Sequence, residues 1–245
     1  MMGGLPLIPV TRHELAERFL TDWLRNQDRS ARPVFSTSAN GHVLALAARD
    51  QKFCEMLQTA DHIDADGMPL VLASRFLASR PLPERIATTD FIHDVARIVA
   101  DHPVRFFLLG ASEEENRAAV ERLRCLYPSL VVAGHHGYYA VHEEAAIVRQ
   151  IQEFRTDLLW VGLGLPREHD FVMRQREKLY GVTWIKTCGG LFNFLSGTRS
   201  RAPLWLQNIG MEWLWRMMQE PKRLGLRYIS TNGTALRLLW QHRAQ

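Results

Sequence analysis

Cysteine is scarce: the chain has three in 245 residues, Cys54, Cys125 and Cys188. An odd, widely spaced trio makes no zinc spacing and no disulfide framework, and it favours a reducing compartment. The N-terminus, MMGGLPLIPVTRHE, has no basic start followed by an apolar block, so it does not read as a secretory signal. No uninterrupted apolar run reaches the roughly 18 residues of a membrane span. Internal repeats, low-complexity segments and a Gly-x-x-x-x-Gly-Lys phosphate loop are all missing. The segment GLGLP lacks the third glycine of a dinucleotide fingerprint and carries Pro166 where the turn should be. These gaps argue against a nicotinamide enzyme and against a P-loop nucleotidase.

What remains is an ordinary globular composition, 47% hydrophobic and 23% charged. A chain this long buries roughly 70–75% of the surface its unfolded form exposes, so its core needs no staples. The net charge of +4 is unevenly spread. From Gly197 to Gln245 eight Lys and Arg stand against two Glu, a net of +6, which leaves 1–196 at −2. The same tail holds four of the seven tryptophans, Trp205, Trp213, Trp215 and Trp240. A slightly acidic body with a basic, aromatic tail implies two surfaces with different tasks.

In the body, apolar runs alternate with helical spacing. PVFSTSA, RFFLLG, LVVAG, LLWVGLG and VTWIKTCGG read as strands buried on both faces. HVLALAARDQKFCEML, DFIHDVARIVA, EEENRAAVERLRCLY, EEAAIVRQIQEF and HDFVMRQREKLY read as helices. The alternation predicts an α/β fold, a mainly parallel sheet flanked by helices, over 1–196. After Gly197 the strand signal stops. Trp205, Ile209, Trp213 and Met217 recur every four residues, and Pro221 ends or restarts a helix, so 197–245 reads as a helical appendage.

In such sheets ligands bind beyond the carboxyl ends of the strands. The candidate segments are therefore Ser38–Asn40, Asp64–Gly67, Gly110–Ser112, Gly134–Tyr138, Gly162–Glu168 and Gly189–Asn193. Ser112 and Glu115 form a capping box, but Glu113, Glu114 and Glu115 would repel a phosphate at that helix start. His135 and His136 are adjacent, so a strand would point them to opposite faces and away from a shared ion. Cys188 reads as a small buried residue. Asp64 and Asp66 stand one residue apart before Gly67 and leave three readings open: a metal-holding pair, a general base beside a strand-end residue, or a cap for the helix beginning near Pro69.

The ordered segments TSANGH, ADGMPLV, ERIATTDF, FFLLG, VGLGLPRE, GGLFNFLSG, RAPLW, GMEWLWR and EPKRLGLRY resemble the WecG/TagA/CpsF family of glycosyltransferases, from about residue 34 to 228. The resemblance implies a Rossmann-like sheet and transfer of a sugar from a UDP-sugar to a polyprenyl-diphosphate-linked saccharide, feeding a cell-surface polysaccharide. It further implies an inverting enzyme without a metal or other cofactor, placed peripherally on the cytoplasmic face of the plasma membrane. Asp66 falls on the family's general base, which makes Asp64 a strand-end residue; Ser38 and Asn40 stand beside the base. Gly110, Gly137, Tyr138, Gly164, Glu168, Gly189, Gly190 and Asn193 would line the donor pocket. Arg85, Arg216, Arg223 and Arg227 would hold phosphate and acceptor, the tail serving an anionic membrane surface. No nucleic-acid partner is expected, and a homo-oligomer stays open.

Four positions depart from the family's pattern. Ser38 replaces Thr (with Thr37 adjacent), Glu168 replaces Gln, Asn193 replaces Asp, and Thr88 replaces Gly. Two other readings follow from the residues: metal-dependent transfer through Asp64 and Asp66, and a non-catalytic, membrane-associated subunit that binds a nucleotide sugar.

Overall fold

The computed structural model describes residues 2–208 and 211–219. In chain order its elements are α1 (Arg12–Arg25), β1 (Val34–Ala39), α2 (Gly41–Ala47), α3 (Gln51–Gln58), β2 (His62–Ala65), α4 (Met68–Leu77) and α5 (Thr88–Ile98). They continue with β3 (Arg105–Gly110), α6 (Glu113–Leu126), β4 (Val131–His135), α7 (Glu144–Glu153), β5 (Leu158–Gly162) and α8 (Arg167–Gln175). The last are β6 (Trp184–Thr187), α9 (Leu191–Leu195), α10 (Leu204–Asn208) and α11 (Glu212–Gln219). The six strands make one all-parallel sheet in the order β2-β1-β6-β5-β3-β4, flanked by helices, the α/β Rossmann-like class that the alternation predicted.

The chain packs as two compact units. One comprises residues 1–11, 38–87 and 200–245, and the other 12–37 and 88–199. In the second unit β3 runs on to β4 on one side, and β5 to β6 on the other, while β3 and β5 are neighbours. That divergence is a topological switch point, the place where a parallel sheet leaves a crevice at its carboxyl edge.

The core of this unit is aromatic. Trp160 and Trp184 are fully buried; Phe91 meets Trp160 edge-on at 6.0 Å, and Phe19 meets Trp184 at 5.8 Å. Side chains of this size each contribute about 1.5–3 kcal/mol on burial, and their edge-to-face contacts add to that. Lys186, on β6, is also fully buried, its ammonium 5.8 Å from the Phe91 ring centre.

Two local details differ from the sequence reading. The stretch HVLALAARDQKFCEML is two helices, α2 and α3, because the Asp50 carboxylate accepts the Phe53 N–H at 3.1 Å and starts a new helix. The N-terminal α1, which the strand-and-helix alternation passed over, buries Leu15, Ala16, Phe19 and Trp23. The capping box is formed as predicted: Ser112 Oγ accepts the Glu115 N–H, and Glu115 Oε2 accepts the Ser112 N–H, both at 3.2 Å.

Candidate active site

Asp66 lies one residue beyond the carboxyl end of β2 and is half-buried. Its own N–H donates to Ala39 O at 2.8 Å, which fixes it beside the end of β1. The following helix, α4, takes Gly67 as its N-cap and has no side-chain capping bond. The Asp66 carboxylate is therefore not used as a helix cap, and that alternative falls.

Asp64 is completely buried and accepts a hydrogen bond from Ser38 Oγ at 2.7 Å. Ser38, expected beside Asp66, is thus held by the other carboxylate. Thr37 cannot take its place. It sits on the opposite face of β1, with its hydroxyl 2.7 Å from Thr187 Oγ1 and 3.0 Å from His169 Nε2. Asn40 caps α2, its Oδ1 accepting the N–H groups of His42 and Val43 at 3.0 and 3.1 Å. Its Cβ also backs onto Gly67, 3.6 Å from where a side chain at that glycine would begin.

In the other unit, the candidate glycines divide by cause. A Cβ on Gly110 would lie 2.2 Å from Gly162 O, and one on Gly137 would lie 3.0 Å from the Gly110 Cα. These two glycines let backbones touch at the mouth of the switch point, which is a packing need. Arg167 donates to Gly137 O at 3.1 Å and holds that turn. Gly164 and Gly189 are different. Both are left-handed, with φ of +76° and +51°, and a Cβ on either would meet nothing within 4 Å. Their turns border open space.

Glu168 ties these two turns together. Its Oε2 accepts the N–H of Gly164 at 3.2 Å and that of Gly189 at 3.1 Å. Burial pushes the carboxyl up to about 7, although both N–H bonds and the charge of Lys186 pull it down. Burial also drives the neighbouring His169 down to about 4, helped by Lys186, so its imidazole is neutral. The Cys188 thiol is raised well above its usual range, first by burial and then by Glu168, which makes it a poor nucleophile.

The remaining expected residues are engaged in different ways. Asn193 gives its amide to Glu115 Oε1, so its side chain ties α9 to α6. Gly190 is the N-cap residue of α9, and Tyr138 is mostly exposed. Arg85 donates to Glu212 Oε2 at 2.7 Å, and both side chains are largely covered. The Arg216 side chain, and Arg223 and Arg227 entirely, lie outside the described residues. Sequence reasoning missed Arg167, the Thr37–His169–Thr187 chain and buried Lys186. A polar residue inside an otherwise apolar strand run, as in WIKT, is the one signal that could have found Lys186. Among the described residues no group of three or more His, Cys, Asp or Glu could hold a metal ion.

A parallel sheet with a switch point, open glycine turns and carboxylates at its carboxyl edge defines a Rossmann-like α/β enzyme. The particular kind follows from likeness to known proteins. A model of the Glycosyl transferase WecG/TagA/CpsF family matches residues 2–245, and the chain belongs to that family; it is a glycosyltransferase. Among its relatives is the N-acetylglucosaminyldiphosphoundecaprenol N-acetyl-beta-D-mannosaminyltransferase of Staphylococcus aureus strain MW2. The two are 31% identical over 198 residues, covering 81% of this chain and 77% of the relative. The protein of the same name from strain MRSA252 is 30% identical over the same shares.

Proposed function

We propose that the protein transfers a sugar, with inversion and without a metal, from a UDP-sugar to a saccharide carried on a polyprenyl diphosphate. Asp66 is the general base. Its carboxylate takes the proton from an acceptor hydroxyl while that oxygen bonds to the anomeric carbon. The bond from the anomeric carbon to the diphosphate breaks in the same displacement, and UDP leaves with the electron pair. General-base assistance of this kind is worth about 10²–10⁴ in rate.

The observation that carries the reading is the state of the two aspartates. Asp64 is wholly buried and bonded to Ser38, whereas Asp66 stands beyond the strand and does not cap the helix behind it. A chelating pair needs both carboxylates turned to one ion; a base needs one. The relatives' names supply the acceptor class, since those proteins act on N-acetylglucosaminyldiphosphoundecaprenol. Lipid contact at the inner face of the plasma membrane is supported by the basic tail and by exposed Phe76, Trp205 and Met218. No helix among the described residues is long and apolar enough to cross a membrane.

A donor panel against a lipid-diphosphate saccharide, run on wild type and Asp66→Asn, tests this. Asp66→Asn keeps UDP affinity and loses turnover by roughly two orders of magnitude or more. Wild-type turnover persists in EDTA. Loss in EDTA that manganese restores would instead favour the aspartate pair.

A further inference from the structure

Glu168 is a buried acidic side chain that the mechanism above leaves unused, and its bonding is one-sided. Both N–H donors reach the same oxygen, Oε2. Oε1 accepts no hydrogen bond from any described residue, although the residue is only 4% exposed. The two donors belong to turns that border open space on their α-carbon side. A buried carboxyl group so placed has two forms with opposite consequences. Ionised, it offers only acceptor oxygens and negative charge toward that space. Protonated on Oε1, it keeps both glycine bonds through a carbonyl-type Oε2 and gains one O–H donor.

We propose that Glu168 binds the sugar donor as a neutral carboxylic acid, with the Oε1 proton donated to an acceptor oxygen of the nucleoside diphosphate. The proposal rests on the UDP-sugar reading above and deepens it. A nucleoside diphosphate presents many acceptor oxygens and net negative charge, so the ionised form of Glu168 would both lack a donor and repel it. The neutral form satisfies the ligand with no change in the glycine turns. When the free enzyme carries the ionised group, binding must take one proton from solvent, and that proton comes to rest on Oε1.

The groups facing Glu168 fit this assignment. On its own helix, Arg167 is committed to Gly137 O and His169 is neutral, its proton lost above about pH 4. From β6, Lys186 pulls the carboxyl down, and Cys188 remains a thiol. The β5 and β6 turns contribute the two N–H groups. Burial outweighs these pulls and places the carboxyl at about 7, where ligand binding can decide its state. A group that merely staples two loops would keep one charge state with and without nucleotide.

Isothermal titration of UDP into wild type and Glu168→Gln at pH 8.0, in two buffers of different ionisation enthalpy, tests the proposal. The terminal phosphate of UDP is already ionised there, its second pKa being about 6. Wild type should take up close to one proton per UDP bound, and its Kd should weaken up to about tenfold per pH unit from pH 7.5 to 9. Glu168→Gln keeps an acceptor oxygen for the glycines and a permanent donor, so it should take up none and bind UDP with a flat pH profile. Thermal melting checks that the variant is folded, and the wild-type pH series decides alone if it is not. Tight wild-type binding without proton uptake overturns the neutral acid and leaves the donor reading standing. Absence of UDP binding by folded wild type at every pH overturns both.

Discussion

Glu168 and His169 are consecutive residues on the first turn of α8, and burial moves their protons in opposite directions. The carboxyl is raised from 4.5 to about 7, so between these values the folded chain holds a proton that the unfolded chain lacks. Stability from this group is therefore lost as pH rises from 4.5 to 7. The imidazole is lowered from 6.5 to about 4, so the unfolded chain binds a proton that the folded chain refuses. Stability from that group is lost as pH falls from 6.5 to 4. Between pH 4.5 and 6.5 the two slopes oppose each other, each on the order of 1.4 kcal/mol per pH unit. Urea unfolding at several pH values should separate them. Glu168→Gln should make stability climb with pH across that window, and His169→Gln should make it fall. Identical slopes in wild type and both variants would contradict the assignment.

At the scale of elements, the tie between α6 and α9 gives the Asn193 amide a structural task. Glu115 Oε1 receives the Asn193 amide and the Thr198 hydroxyl, while Oε2 closes the capping box. Burial pushes the Glu115 carboxyl up, but these donors together outweigh it and hold it below the usual range. An aspartate at 193 would set two carboxylates against each other. Asn193→Asp should therefore cost about 1–3 kcal/mol in chemical denaturation, and adding Glu115→Gln should recover most of it. Equal losses in the single and double variants would mean that the contact carries no coupling. The capping box was legible in the sequence because Ser112 and Glu115 are three residues apart. Asn193 lies 78 residues from Glu115, so no local pattern announces their pairing.

For the whole molecule, charge is the organising quantity. The net of +6 over 197–245 against −2 over 1–196 sets one region of the sequence apart, and the proposed lipid contact assigns that region to anionic lipid. Replacing Arg216, Arg223 and Arg227 together by Gln removes about 3 kcal/mol of such attraction, near a hundredfold in partitioning. Sedimentation with vesicles rich in anionic lipid should show that loss, and high salt should mimic it. Equal binding of wild type to vesicles of zwitterionic lipid alone would remove the electrostatic basis. The same scale sets the switch point of the sheet. The succession of strands along the chain gives six candidate segments, but the sheet order is what makes neighbours of β3 and β5 and so sets where the connections diverge.

The sequence by itself determined the alternation of buried strands and amphipathic helices, the helix start at Ser112, the charge of the tail and the family. Each of these is written in residues close together or in the order of short motifs. Tertiary structure decided which aspartate takes Ser38, which glycines serve packing and which border open space, and which carboxyl group keeps its proton near neutrality. Those outcomes depend on partners distant in sequence, 26 residues apart for Ser38 and Asp64 and 21 for Glu168 and Gly189, and on removal from water. Solvation and pairing belong to the folded arrangement of the chain, so no residue carries them alone.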